Sequence, residues 1–207
     1  MGRLVIALDE SYTRTGLTIM RDKQVVLMRS IDYVGCKDNT AKRAYLKENL
    51  KYYIKYALNQ KENNDEAFVL IERARTFSGG HMSTKYLLSV GSLIATIIDV
   101  AKSFNLKTYS VDTKAWKRQV VGTTEGRKNK YGINANKYPT ILYLKQKGLL
   151  DKIVVPYAGK GKKGVIPVKI NNKAQQCKIN DDLADSYCIA EYAFLPITKQ
   201  KLKEENI

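Results

Sequence analysis

Histidine occurs once in the 207 residues, as His81, and cysteine three times, as Cys36, Cys177 and Cys188. No CxxC or Cys/His ligand spacing is present, so neither a disulfide framework nor a zinc site is supported. A reducing compartment, the cytoplasm, is expected. A single His without a matching nucleophile argues against Ser-His-Asp chemistry, and His81 reads as a polar residue starting a helix. The most apolar run, "LLSVGSLIATIIDVA" over 87–101, is shorter than the ~20 residues of a membrane span and contains Asp99. A buried helix is expected, and no membrane association. The chain is expected to start directly with the strand "RLVIALD", without a leader, and no internal repeat is visible.

Acids are also scarce. Asp and Glu number 20 against 36 Lys and Arg, a formal charge of +16. Over residues 113–180 the imbalance sharpens to sixteen basic side chains against Glu125 and Asp151 alone. Clustering on that scale favours a polyanionic partner, nucleic acid above all. A hydrophobic content of 44% suffices for one sizeable core.

"RLVIALD" and "EAFVLIE" are continuous apolar runs, each ending in an acid, and read as strands buried on both faces. "LTIM" and "QVVLMRSI", joined by "RDK", extend the first run into three antiparallel strands. An amphipathic helix is expected over 38–60, capped by Asp38, Asn39 or Thr40. A second helix is expected over about 82–104, "KTYSV" as a strand, and "DTKAWKRQVV" as a short helix beginning at a capping Asp. Further helices are expected over about 135–147 and from near Asp181. Strands followed by alternating helices and strands predict an α/β fold, a mixed sheet flanked by helices. A single domain is expected over 1–198, with a Lys/Gly-rich insertion at about 157–178 and a polar tail over 199–207. The insertion reads equally as a protruding hairpin or a disordered arm.

The last helix, in "INDDLADSYCIAEYAF", carries three acids at its entrance. At about 100° per residue, Leu183, Tyr187, Ala190 and Phe194 share an apolar arc, and Asp182 and Asp185 lie about 60° apart above Ile189 and Ala193. Asp181 falls with Ala184, Cys188 and Glu191, the expected solvent edge. Such acids can simply cap a helix and complement its dipole. Asp9 and Glu72, each at a strand end, shift the balance. If the two strands are neighbours and the last helix covers them, Asp9, Glu72, Asp182 and Asp185 meet at one rim. Four unpaired anions there would repel and suffer desolvation, and hard divalent cations relieve both penalties. The competing account is that each acid pairs with a nearby Arg such as Arg73 or Arg75.

These residues resemble RuvC-like Holliday junction resolvases of the RNase H-like superfamily. Asp9 with "ESYTRTG" resembles their first motif, "VLIE" the strand carrying the second acid, "VDTKAWKRQVVG" the basic segment, and "DDLADSYCIA" the last helix with two acids three residues apart. The ordered set spans nearly the whole chain. The Lys-rich excursion is more similar to the phage or viral branch. The resemblance implies an RNase H-like fold with three antiparallel strands followed by parallel ones, a homodimer, and symmetric nicking of branched DNA to leave 5′-phosphate ends. It implies no nucleotide cofactor. Two Mg²⁺ ions, replaceable by Mn²⁺, are then expected at Asp9, Glu72, Asp182 and Asp185, with Lys117, and next Lys114, at the scissile phosphate. Arg118, Arg127, Lys128, Lys130, Lys160, Lys162 and Lys163 are expected on the DNA backbone. Where bacterial members carry an aromatic three positions after the second acid, this chain has Arg75, and Phe77 is the nearest aromatic. Trp116 and Tyr131 could stack on exposed bases, with core packing the favoured role for Trp116. Helix 87–101 could supply the dimer contact or be buried within one subunit. Three alternatives stay open: an RNase H-like nuclease acting on RNA–DNA hybrids or flaps, a non-catalytic junction-binding protein, and, far behind, a kinase- or actin-type phosphotransferase.

Overall fold

Strand β1 (Arg3–Glu10) is buried along its whole interior and lies at the centre of the main sheet. It pairs antiparallel with β2 (Arg14–Arg21), which pairs antiparallel with β3 (Gln24–Asp32). The β2–β3 connection places Asp22 and Lys23 at φ 48° and 70°, the left-handed pair that a two-residue hairpin with the right-handed sheet twist requires. On its other side β1 pairs parallel with β4 (Glu66–Glu72), and β4 parallel with β5 (Lys107–Val111). This computed structural model describes residues 2–73, 84–157, 159, 164–170, 173–196 and 203–204. Within the segment read as a polar tail, β9 (Lys203–Glu204) adds antiparallel to β5, and the sheet order is β3-β2-β1-β4-β5-β9.

Helices cover both faces. On one, α1 (Asn39–Leu58) and α2 (Thr84–Ser103) bury Leu46, Leu50, Ile54, Leu93, Ile97 and Val100 against Leu4, Ile6 and Leu8. Asp38 caps α1, its carboxylate accepting from Ala41 N at 2.8 Å. By length and composition α2 could cross a membrane, but Leu93, Ile97, Val100 and Ala101 are buried in this core. Leu87 and Leu88 at its start are exposed.

On the opposite face, α5 (Asp181–Tyr192) packs over Val5, Ala7, Phe68 and Leu70. The short helix α3 (Thr113–Trp116) runs into a π-helical turn over Lys117–Val121, and its N-cap is the expected Asp112. Trp116 is fully buried there, in the packing role expected of it. Helix α4 (Tyr138–Gln146) starts later than expected, because residues 134–137 form a turn and Pro139 occupies the first helical turn.

One expectation for α5 fails. Ala184 and Cys188, assigned to a solvent edge, are fully buried. Ile141 and Leu144 of α4 pack in the same cluster, and Tyr143 and Lys147 hydrogen-bond Glu191. A helix sandwiched between a sheet and another helix has no solvent stripe, which a two-sided wheel does not anticipate.

β6 (Val154–Pro156), just before the segment read as hairpin or arm, joins β7 (Val165–Ile170) and β8 (Lys173–Ile179) in an antiparallel sheet of order β6-β8-β7. Ile166, Val168 and Cys177 form its small core against Tyr131 and Ile133. Among the described residues of that segment, β7 and β8 pair antiparallel.

Candidate active site

Side-chain parity decides which face receives the acids. Successive strand residues point to opposite faces, so Val5, Ala7 and Asp9 of β1 point toward α5, as do Phe68, Leu70 and Glu72 of β4. The strands are parallel neighbours with Leu8 opposite Ile71, so their carboxyl ends bring both acids to one edge. Helix α5 then supplies Asp182 and Asp185.

Its approach depends on Gly16, which pairs with Asp9 across the β1–β2 ladder. A Cβ there would lie 2.1 Å from Asp182 O and 2.7 Å from Leu183 N. The Thr-Gly of "ESYTRTG" thus lies inside β2, where glycine admits a helix backbone onto a strand backbone. The N-cap of α5 is Asn180, accepting from Leu183 N at 3.0 Å. The acids are not consumed in capping. Asp182 and Asp185 are 8% and 1% exposed, matching the inward assignment of the wheel, and Asp181 is half-buried.

Asp9, Glu72 and Asp185 each offer a carboxylate oxygen within 4.8 Å of the others. Asp182 lines the same cleft, about 380 Å³ in volume, but stands beside this trio. It accepts from Ser11 Oγ at 3.0 Å and lies 3.4 Å from Arg14 Nε. Burial pushes Asp182 up to about 6, with Asp181 adding to the rise and Lys137, Ser11 and Arg14 opposing it. Burial likewise holds Asp9 well above the ordinary carboxylate range; Lys137 opposes, and Glu72, Asp185 and Asp182 reinforce. Glu72 accepts a hydrogen bond from Thr113 Oγ1 at the start of α3. Arg73 donates to Ser110 Oγ rather than to an acid of the site, and Arg75 lies outside the described residues.

Two oxygens of the trio, Asp9 Oδ2 and Asp185 Oδ1, are buried without a hydrogen-bond partner among the described residues. Buried polar atoms left in this way are rare and costly. Converging carboxylates with orphaned oxygens form the donor set that a hard divalent cation takes. The residues fit such an ion.

The lysine that reaches the trio is not one singled out from the sequence. Lys137, immediately before α4, donates to Asp185 Oδ2 and stands 3.7 Å from Asp9 Oδ2. Burial lowers its pKa, but Asp185 and Asp9 more than offset this and keep it a firmly charged ammonium. Lys117 lines the cleft, donating to Asn136 O at 3.0 Å with its ammonium 5.3 Å from the centre of the Trp116 ring. Lys114 and Arg118 are exposed on α3 and the π-turn, and Arg127, Lys128 and Lys130 on the following loop. Phe77, His81, Lys160, Lys162 and Lys163 lie outside the described residues.

Glu10 was also missed. It lines the cleft, with Oε1 buried and lacking a hydrogen-bond partner among the described residues. Burial raises its pKa well above the ordinary range, with Glu72 and Asp182 adding to the rise. Asp9-Glu10 does stand as an acid pair at a strand end. Nothing in the sequence ties Lys137 to residues 128 and 48 positions away.

Together these elements define a mixed sheet with an acid cluster at its carboxyl edge, the RNase H-like fold of RuvC type. Solved structures that share it include RuvC of Thermus thermophilus in complex with a Holliday junction substrate (TM-score 0.59, 14% identity) and T. thermophilus RuvC (TM-score 0.57, 13% identity). Each alignment covers 98% of this chain and 99% of that one. The chain is RuvC-like in fold over nearly its whole length. No protein-family model and no curated protein matches its sequence.

Proposed function

We propose that this chain is a structure-selective endonuclease that resolves four-way and related branched DNA junctions by divalent-metal-dependent phosphodiester hydrolysis. The observation that carries this reading is the meeting of Asp9, Glu72 and Asp185 within 4.8 Å, with Asp9 Oδ2 and Asp185 Oδ1 buried and lacking hydrogen-bond partners among the described residues. The likeness to a RuvC in complex with a Holliday junction substrate supports the choice of DNA. Two Mg²⁺ ions, replaceable by Mn²⁺, held by Asp9, Glu72 and Asp185 with Asp182 alongside, would supply Lewis acidity at the phosphate and an activated water.

The chain's own residues do the rest. Ser11 and Arg14 fix the rotamer of Asp182, and Thr113 fixes that of Glu72. Lys117, clamped by Asn136 O and the Trp116 ring, presents a fixed positive charge to a phosphate entering the cleft. Lys114, Arg118, Arg127, Lys128 and Lys130 hold DNA strands through phosphates, so affinity falls steeply with salt. Lys160, Lys162 and Lys163 are assigned to the same DNA contacts, as is Phe77, the aromatic nearest in sequence to Arg75. A homodimer, with two clefts facing opposed strands, reads the junction by shape.

The test is side-by-side digestion of a mobile four-way junction, a flap and an RNA–DNA hybrid with Mg²⁺, Mn²⁺ or chelator, mapping every nick. Paired symmetric nicks on the junction, lost in chelator and in Asp9→Asn while junction binding persists, are expected. Preferential cutting of the hybrid, or full activity in Asp9→Asn, would overturn the reading.

A further inference from the structure

We propose that Lys137 is an internal counter-cation of the acid cluster, holding Asp9 and Asp185 together until a divalent ion displaces it. The inference deepens the metal-dependent reading above and rests on it. Its basis is where the ammonium sits. Lys137 Nζ donates to Asp185 Oδ2 and lies 3.7 Å from Asp9 Oδ2, and these are two of the three acids whose oxygens converge. An ion bound by Asp9 and Asp185 would occupy the same position, and two cations cannot share it without strong repulsion.

The anchoring of Lys137 permits movement of the side chain alone. Its backbone is fixed in the turn before α4, with Lys137 N donating to Asn134 O at 2.9 Å and Asn136 N to Asn134 Oδ1 at 2.9 Å. The side chain is 27% exposed and borders the cleft, so rotation about its four-carbon stem takes the ammonium out without disturbing α4. Lys117, the other lysine lining the cleft, makes its hydrogen bond to Asn136 O instead. The arrangement solves a folding problem. Without a cation, Asp9, Glu72 and Asp185 would crowd negative charge in a buried site, and Lys137 offsets it. The same contact weakens metal binding, because the ion must first release the lysine. A phosphate in the cleft gives the released ammonium a new anionic partner, so metal and DNA favour each other's binding.

Calorimetric titration of Mn²⁺ into DNA-free protein tests this, on wild type, Lys137→Met and Lys137→Arg. Lys137→Met should bind Mn²⁺ on the order of tenfold more tightly than wild type, within the range of typical coupling between sites. In chelator it should melt roughly 5–10 °C lower, as expected for a buried charge cluster losing its partner. Lys137→Arg, which keeps the charge, should stay near wild type in both. Lys137→Gln, whose amide can still donate to Asp185, serves if the Met variant does not fold. Equal or weaker Mn²⁺ binding by the neutral variants, with wild type binding normally, would show that Lys137 does not occupy the ion's place. If neither wild type nor the neutral variants bind Mn²⁺, the metal reading itself fails, and the inference with it.

Discussion

Replacing Gly16 by Ala adds a single methyl group inside β2, and its sign separates two accounts of the residue. Were Gly16 only a flexible strand residue, alanine would be neutral or would stabilise by about 0.4–1 kcal/mol, through the smaller entropy of the unfolded chain. The close approach of α5 predicts the opposite. The added Cβ would lie 2.1 Å from Asp182 O and 2.7 Å from Leu183 N, both backbone atoms that no side-chain rotation can move. Helix α5 must shift outward, and it is buried nearly all round, with Leu183, Ala184, Cys188 and Ile189 in the core. Overpacking of this kind typically costs about 1–3 kcal/mol, which for a chain of this size lowers Tm by roughly 2–12 °C. The shift also carries Asp182 and Asp185 away from Asp9, so Mn²⁺ binding should weaken alongside. Thermal unfolding in chelator, followed by Mn²⁺ titration of the folded variant, reads both effects. An unchanged or higher Tm with unaltered metal affinity would refute the claim that Gly16 sets the distance between α5 and the sheet.

Three other perturbations follow from the same geometry. Asn180→Ala removes the N-cap of α5 and should cost about 1 kcal/mol, seen as an earlier midpoint in urea unfolding; an unchanged midpoint would count against that cap. Asp182, at about 6 in the fold against 3.8 for an ordinary Asp, retains its proton longer folded than unfolded. Stability of the metal-free protein should therefore fall by about 2 kcal/mol from this group as pH rises from 4 to 7. Denaturation curves of wild type and Asp182→Asn should diverge over that window, and parallel pH profiles would contradict the burial of an ionisable Asp182. Trp116→Ala should cost about 3–5 kcal/mol by opening a cavity beneath α3, and a loss below 1 kcal/mol in chemical denaturation would mean the indole is not part of the core.

The main sheet was legible because its signals are local. "RLVIALD" and "EAFVLIE" are apolar throughout, as strands covered on both faces must be, and each ends in its acid. Asp182 and Asp185 could be picked from helical periodicity, since inward positions repeat with the turn. The all-round burial of α5 was not legible: Ala184 and Cys188 read as an edge until α4, distant in sequence, covers them. Lys137 escaped for the same reason. Among sixteen basic residues over 113–180 nothing local marks it, and only the packing of the α4 entrance against α5 brings its ammonium to Asp185. Gly16 enters from sequence only as the last residue of the "ESYTRTG" motif, whereas its physical role is the close passage of a helix over a strand. Pairings across long stretches of chain are set by tertiary packing, and a pattern with a period of two or 3.6 residues does not encode them.

The position of a bound divalent ion is the most direct test of the acid cluster. Crystals grown without DNA and soaked in Mn²⁺, measured at the manganese edge, should show an anomalous peak contacting Asp9, Glu72 and Asp185, with the Lys137 ammonium moved off Asp185. A cleft without a peak under saturating Mn²⁺, with Lys137 still between Asp9 and Asp185, would contradict it.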